Sequence, residues 1–171
     1  MTSLPCDKVG LDFFDSAPTL HRVERELAAT PAEVFAAFLD AEAWRTWAVP
    51  ITRVEWTSGF PLEVGSTRTV HMWGGLVAHE EFLAYDEGTR MAFRFNEVSR
   101  KAVRAFAEDY QVTDLGGGRC RVVWTMAMDT GRRAGVGARL VDPVMRVGLG
   151  HMLGRFARLV ESRSASTGAG R

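Results

Sequence analysis

Several side chains that can hold or transfer a proton lie within strand-like, mostly apolar segments of the chain. His71, His79, Glu81 and Tyr110 are the candidates for catalytic groups. An imidazole can exchange a proton near neutral pH, and a carboxyl group in apolar surroundings can act as a general acid or base. Each candidate also has a simpler interpretation. The histidines can lie on the surface or in the core, and Tyr110 can use its phenol only to support packing.

Two glutamate side chains, those of Glu81 and Glu108, could point either into the core or into solvent. Glu108 shares strand parity with Tyr110, so both side chains are expected on one face of the sheet. A carboxylate that points inward is unfavourable unless it is paired, which would make it a functional candidate. A salt bridge to Arg94 or Arg104 on a nearby strand is the alternative for either glutamate. The strand register decides between the two, and it also decides the direction of His71 and His79.

Large aromatic and methionine side chains accompany these polar groups. Rings offer rigid contact area and thioethers adapt in shape, so an enclosed space lined by them suits an apolar ligand. The alternative is that they simply fill a close-packed core. The residues predicted to line a ligand cavity are Trp47, His71, Trp73, Phe93, Phe95, Phe106, Glu108, Tyr110, Trp124, Met126, Met145, Leu149, Met152 and Phe156.

Composition and motifs exclude several function classes. Ser-His-Asp, His-Glu-x-x-His and phosphate-loop patterns are absent from the sequence. The two cysteines, Cys6 and Cys120, cannot build a metal cluster or a disulfide framework. Lys and Arg number 21, as do Asp and Glu, so the net charge is zero and attracts neither nucleic acid nor an anionic membrane. We therefore expect no metal, no cofactor and no nucleic-acid partner.

The elements that must position these side chains follow from local signals. Leu20–Leu27 alternates in polarity and predicts a first strand. Thr30-Pro31-Ala32-Glu33 combines a capping hydroxyl, a proline at the first helical position and a glutamate three residues after the cap, which predicts a helix start. Asp40 can cap a second short helix that carries Trp47 and ends before Pro50.

The rest of the chain predicts a meander followed by one long helix. Short glycine-containing turns separate most of the next strands, which indicates antiparallel pairing. Apolar residues from Val141 to Leu159 then recur at helical spacing. The fold class is thus α+β, with an antiparallel sheet of about seven strands that grips a long C-terminal helix. Besides Leu20–Leu27, the six strands of the meander are predicted at Ile51–Ser58, Ser66–Trp73, Leu76–Tyr85, Arg90–Asn96, Arg104–Thr113 and Arg119–Asp129.

A length of 171 residues predicts a single domain. We place it at residues 20–162, after an irregular N-terminal segment (1–19) and before a small, polar, flexible tail (163–171). The chain has neither the features of a signal peptide nor a run of about 18 apolar residues. We expect a cytoplasmic protein without stable membrane insertion, either a monomer or a homodimer.

The order of several short motifs along the chain is characteristic of one superfamily. The motifs are Thr30-Pro31-Ala32-Glu33-Val34-Phe35, Trp44-x-x-Trp47, Val64-Gly65-Ser66, Glu81-x-x-x-Tyr85-Asp86 and Gly117-Gly118-Arg119-Cys120-Arg121-Val122. With the element order, they resemble the START-like (SRPBCC) superfamily, and within it the bacterial polyketide cyclase/dehydrase and lipid-transport branch. The resemblance covers roughly residues 20 to 162. It implies a helix-grip fold, in which a curved antiparallel sheet wraps around the long C-terminal helix and encloses an apolar cavity, but it does not select a reaction.

Three functions remain open. The first is binding of a hydrophobic small molecule, such as a lipid, a polyketide or an aromatic metabolite, by a carrier, a sensor or a weak catalyst. The second is a polyketide cyclase or dehydratase in which His71, His79, Glu81 or Tyr110 assists proton transfer. The third is a co-chaperone-like domain that binds a protein partner.

Overall fold

The computed structural model describes residues 3–100, 103–131 and 136–168, with the backbone alone at 136–142 and 167–168. Two short elements lie in the N-terminal segment: strand β1 (Leu4–Pro5) and helix α1 (Phe13–Ser16). β1 pairs with the end of a later strand, and Phe13 packs against alanines on the outer face of the sheet. The segment expected to be irregular is thus attached to the sheet at both places.

The sheet confirms the predicted fold class. Its strands are β2 (Thr19–Leu27), β3 (Ile51–Trp56), β4 (Thr67–Met72), β5 (Leu76–Asp86), β6 (Arg90–Val98), β7 (Ala105–Gly116) and β8 (Arg119–Asp129). They pair in the order β2-β8-β7-β6-β5-β4-β3, and every pairing is antiparallel. β3 to β8 form the predicted meander, while β2 pairs with β8.

Two short helices follow β2, as predicted. Helix α2 (Pro31–Leu39) begins at a complete capping box, in which the Thr30 hydroxyl accepts from the Glu33 backbone and the Glu33 carboxylate accepts from Thr30 N. Helix α3 (Ala41–Trp47) is capped by the Asp40 carboxylate, which accepts from Glu42 N. α3 carries Trp44 and Trp47 into the main core.

The C-terminal helix α4 (Val136–Gly168) packs mainly against β2 and α3. Leu149 and Phe156 are buried in the main core, with Met145 and Met152 at its edge. The helix continues to Gly168, beyond the limit of residue 162 that the sequence indicated. Val141, the first apolar residue of the predicted stripe, has a side chain outside the described residues.

The sheet therefore has two distinct faces. The inner face packs against α2, α3 and α4 and carries Phe93, Tyr110 and Trp124. The outer face carries Ala107 and Ala127 under α1. Within the described parts of the chain, no helix is long and apolar enough to cross a membrane.

Candidate functional site

Four ionisable side chains lie together on the inner face of the sheet, and we call them the inner polar cluster. Arg68 comes from β4, Glu80 from β5, and Glu108 and Tyr110 from β7. All four are buried, with exposed fractions of 1%, 3%, 9% and 1% respectively. Charged residues are rarely buried to this degree unless they are paired or have a function.

Arg68 and Glu80 form a buried ion pair. The two residues lie directly opposite each other in the β4–β5 register, and Arg68 Nε donates to Glu80 Oε2 at 2.5 Å. The guanidinium carbon lies 4.2 Å from the ring centre of Trp44 and 4.3 Å from that of Phe93. These aromatic faces stabilise the cation where water cannot. Burial raises the pKa of Glu80, and the charge of Arg68 opposes the rise.

Glu108 and Tyr110 form the second half of the cluster. The Tyr110 hydroxyl donates to Glu108 Oε2 at 2.7 Å. Burial raises the pKa of Glu108 to about 8, against the opposing effect of the Tyr110 hydrogen bond, and the charge of Glu80 adds to the rise. Burial, followed by the neighbouring Glu108, also raises the pKa of Tyr110. At pH 7 the cluster therefore holds a neutral carboxyl group beside a neutral phenol.

Three buried donors around the cluster lack an acceptor among the described residues: Arg68 Nη1, Trp47 Nε1 and Trp124 Nε1. The Trp124 indole lies close enough to Glu108 to lower its pKa slightly, although it completes no hydrogen bond. The Trp47 ring lies 4.9 Å from the Trp44 ring and 5.8 Å from the Trp124 ring, measured between centres. Since nearly all buried polar groups in native proteins are hydrogen-bonded, these open donors indicate a place for an acceptor that the described residues do not supply.

This arrangement has a defined chemical capacity. The cationic donor Arg68 and a tryptophan N–H can hold a ligand oxygen, and aromatic rings can hold the apolar body around it. A neutral carboxylic acid such as Glu108 can donate a proton at pH 7. Among the described residues, no three His, Cys, Asp or Glu side chains lie close enough together to hold a metal ion.

Most of the predicted cavity residues do face inward. Trp47, Phe93, Tyr110 and Trp124 are buried within one network of ring contacts. Glu108 lies beside them. Met126, Leu149 and Phe156 are also buried in the main core, whereas Phe106, Met145 and Met152 are partly buried against it. Phe95 lies in a smaller core cluster with Ala78 and Val98, where its ring centre lies 4.3 Å from that of Phe106.

Four predicted residues lie away from the inner polar cluster. His71 hydrogen-bonds to Glu55 at 2.9 Å and His79 to the Thr69 hydroxyl at 3.0 Å, both on the outer face. Glu81 accepts from Arg94 Nη2 at 3.1 Å and from Asn96 Nδ2 at 2.7 Å, which is the salt bridge considered as its alternative. Trp73 is 65% exposed in the turn after β4.

Trp73 lines an open surface groove instead. The groove encloses about 510 Å³ and runs along the outer side of α3. Its other lining residues are Glu42, Arg45, Thr46, Ile51, Thr52 and Arg163. Polar and charged side chains predominate there, so the groove lacks the apolar character of the inner face.

Sequence reasoning missed Arg68, Glu80 and Trp44 as site residues. A usable signal was present for Arg68, because it shares parity with Val70 and Met72 in a segment correctly predicted as a strand. For Glu80 the adjacent Glu81 hid the signal, since either glutamate could have faced inward. Trp44 was noted as part of the Trp44-x-x-Trp47 motif, but its contact with a buried cation depends on tertiary structure.

Comparison with known proteins assigns the fold to a family. The model of the family described as polyketide cyclase/dehydrase and lipid transport matches residues 20–161. The chain belongs to this family. An uncharacterized protein of Mycobacterium tuberculosis is 44% identical over 162 residues, which cover 95% of this chain and 96% of the relative.

Two solved structures illustrate how widely this family fold is shared. An aromatase/cyclase from Streptomyces sp. R1128 matches with a TM-score of 0.65 at 16% identity, over 85% of this chain and 96% of that one. A START superfamily protein from Mycobacterium smegmatis matches with a TM-score of 0.63 at 12% identity, over 86% and 98% of the two chains. The START-like fold expected from the sequence is thus confirmed, and family membership supports a hydrophobic ligand-binding or cyclase-type function.

Proposed function

We propose that the protein binds a hydrophobic small molecule on the inner face of the sheet, with an oxygen atom of the ligand against the inner polar cluster. The observation that carries this proposal is that two of the three open donors, Arg68 Nη1 and Trp47 Nε1, are buried and have no acceptor among the described residues. Leaving a buried donor unpaired costs about 1–3 kcal/mol. A ligand oxygen that accepts from one of these donors would remove the cost for that donor.

The surroundings suit the apolar part of such a ligand. Trp44, Trp47, Phe93 and Trp124 present ring surfaces around the cluster, and Met145 and Met152 of α4 add adaptable thioethers at the edge of the core. Burial of apolar ligand surface contributes about 25 cal/mol per Å². The family description, which names both polyketide and lipid chemistry, supports a ligand of this kind.

Native mass spectrometry of the freshly purified protein, followed by organic extraction, tests the proposal. We expect a stoichiometric adduct whose extracted molecule is apolar and contains oxygen. The Arg68→Met variant should lose the adduct, whereas Arg90→Met, which removes a similar side chain from the outer face, should keep it. Equal retention of the adduct by both variants would place the ligand elsewhere.

A second candidate function is cyclase or dehydratase chemistry. Glu108 favours it, since a carboxyl group with a pKa of about 8 is protonated at pH 7 and can donate to an oxygen that leaves or gains charge. Tyr110 would hold that carboxyl group in place through its 2.7 Å hydrogen bond. This version transfers the acid role from the outward-facing histidines to Glu108.

Once the extracted molecule has provided a turnover assay, ligand binding and turnover of a Glu108 variant distinguish the two functions. Glu108→Gln keeps the shape of the protonated acid but has no proton to donate. Under the cyclase hypothesis this variant still binds the ligand and loses turnover by about 100-fold or more, while His71→Ala keeps turnover. Full turnover in Glu108→Gln would rule out this acid and leave a carrier or sensor.

A further inference from the structure

We infer that the inner polar cluster selects neutral, oxygen-bearing ligands, such as ketones or alcohols, and rejects carboxylates of the same shape. This inference rests on the proposed function and names the charge class of its ligand. It follows from the number of charges that the described residues bury together and from the arrangement of those charges around Arg68.

The cluster is already electrically neutral without a ligand. Arg68 is a permanent cation, because a guanidinium group does not lose its proton in proteins. Its charge is matched by Glu80, which lies directly opposite and accepts from Nε at 2.5 Å. Glu108 completes the set as an uncharged acid hydrogen-bonded to Tyr110. One cation, one carboxylate and one protonated carboxyl group therefore sum to zero.

A carboxylate ligand would disturb this balance. To reach the open Arg68 Nη1, its charge would have to come close to Glu80 without a second cation from the described side chains of the cluster. Two negative charges that share one buried cation repel each other strongly at low dielectric. A carbonyl or hydroxyl oxygen accepts the same Nη1 proton without adding charge. The open donor is therefore suited to a neutral acceptor.

The side chains that surround Glu108 on its own strand and on β4, β5 and β8 add no charge beyond Arg68 and Glu80. On its own strand Tyr110 faces it as a neutral phenol. β4 contributes Arg68 and β5 contributes Glu80, while β8 contributes the uncharged Trp124 and Met126. His21 of β2 lies in the same cross-strand row, one strand beyond Met126. The described inward side chains of α3 and α4 are aromatic, aliphatic or thioether groups.

A matched pair of probes tests the inference. 2-Acetylnaphthalene and 2-naphthoate share a ring system and differ in a methyl ketone against a carboxylate. Isothermal titration calorimetry of the full chain at pH 7 should show saturable binding of the ketone, and binding of the carboxylate weaker by roughly tenfold or more. Wild-type binding of 2-naphthoate as tight as that of the ketone would overturn the inference and leave the proposed function standing.

Glu80→Gln should reverse the preference. The substitution removes the charge that neutralises Arg68, so 2-naphthoate should now bind more tightly than 2-acetylnaphthalene. Glu81→Gln is the matched control, since this neighbouring carboxylate lies on the outer face with Arg94 and Asn96. It should retain the wild-type preference. An unchanged preference in a folded Glu80→Gln protein would contradict the charge argument.

Glu108→Gln provides a test that does not depend on the stability of Glu80→Gln. In the wild type, affinity for the ketone should fall as the pH rises above about 8, because ionised Glu108 competes with the ligand for Arg68 Nη1. The amide of Glu108→Gln cannot ionise, so this loss should disappear. Identical pH profiles of the two proteins would overturn the inference. Failure of both probes to bind any folded variant would instead count against the proposed function itself.

Discussion

Adjacent carboxylates on the same strands have opposite environments. Glu108 faces inward and Asp109 outward on β7, as Glu80 and Glu81 do on β5. On the outer face, Asp109 accepts from Arg90 Nε and Nη2 at 2.9 and 3.0 Å, and Gln111 Nε2 donates to it at 2.7 Å. On the inner face, Tyr110 donates the one hydrogen bond to Glu108 that the described residues provide.

The difference distinguishes polar groups that support the fold from polar groups that are available to a ligand. In pairs such as Arg90–Asp109, the hydrogen bonds offset the desolvation of the carboxylate. Groups whose hydrogen bonds are already made are not available to a ligand. Arg68 of the inner polar cluster is buried more deeply than Arg90, yet its Nη1 has no acceptor among the described residues. Such a cluster is a weak source of stability and a good candidate for binding.

The largest expected effect is on stability when Arg68 is removed. Arg68→Met leaves Glu80 without its partner in the interior, and breaking a buried pair in this way costs about 3–5 kcal/mol. Arg90→Met should cost less, because Arg90 is about one-third exposed and Gln111 still donates to Asp109. Urea unfolding monitored by circular dichroism measures both. Equal losses would remove the distinction between the two faces.

The second effect concerns pH. The folded-state pKa of Glu108 is raised to about 8 from the ordinary value of 4.5, so the native state retains a proton that the unfolded state releases. The stability that Glu108 contributes should therefore be lost as the pH rises from about 5 to about 8, by a few kcal/mol in total. Glu108→Gln should lack this part of the slope. Urea unfolding at several pH values measures the difference between the two proteins.

The pKa shift of Glu81 has the opposite sign to that of Glu108, so Glu81→Gln serves as the control for this experiment. Its hydrogen bond from Asn96, with a further contribution from Arg94, lowers its pKa. The stability that Glu81 contributes is therefore present above its ordinary pKa and is lost as the pH falls below it. Glu81→Gln should run parallel to the wild type between pH 5 and 8. A slope change in Glu81→Gln of the size expected for Glu108→Gln would contradict the assignment of the effect to the inner face.

A smaller effect is expected at Tyr110. Tyr110→Phe removes the hydrogen bond to Glu108 and leaves most of the ring packing, so stability should fall by about 1 kcal/mol at pH 6. Loss of this donor should also raise the pKa of Glu108 further, because the bond favours the ionised form. The slope of stability against pH should then extend above pH 8. Urea titrations of Tyr110→Phe at pH 6 and pH 9 report both changes.

The smallest effect is expected at the two histidines. His71→Ala and His79→Ala each remove one hydrogen bond on the outer face. Stability should change by no more than about 0.5 kcal/mol, the usual range for surface substitutions, and affinity for 2-acetylnaphthalene should not change. A tenfold loss of affinity in either variant would show that the substituted histidine takes part in ligand binding.

The sequence predicted the fold better than it predicted the site. Alternation and glycine turns placed all seven main strands to within about three residues, since period-two patterning and turn chemistry are local properties. The same alternation correctly grouped Glu108 with Tyr110. β1 and α1 were missed because elements of two and four residues are too short to show a period.

The missed site residues have a different cause. The β5–β6 register shifts between His79 and Glu80 and again between Phe82 and Ala84. The second shift changes the parity that faces inward. Glu80 therefore shares parity with the buried Phe82, whereas Glu81 shares parity with Tyr85, which packs against the main core, and alternation alone cannot distinguish the two glutamates. The open donor on Arg68 is a tertiary property as well, because it depends on what β4, β5 and α3 bring to the guanidinium group.

The five tryptophans offer the most direct test of the central claim, that the ligand binds at the inner polar cluster. Trp44 and Trp56 donate their indole N–H to backbone carbonyls at 2.8 and 3.1 Å, Trp73 lines the outer groove, and Trp47 has no acceptor in the described structure. Assigned ¹H–¹⁵N spectra recorded during a titration with 2-acetylnaphthalene should show a downfield shift of the Trp47 indole proton, with Trp73 unchanged. A shift at Trp73 with Trp47 unmoved would contradict the account.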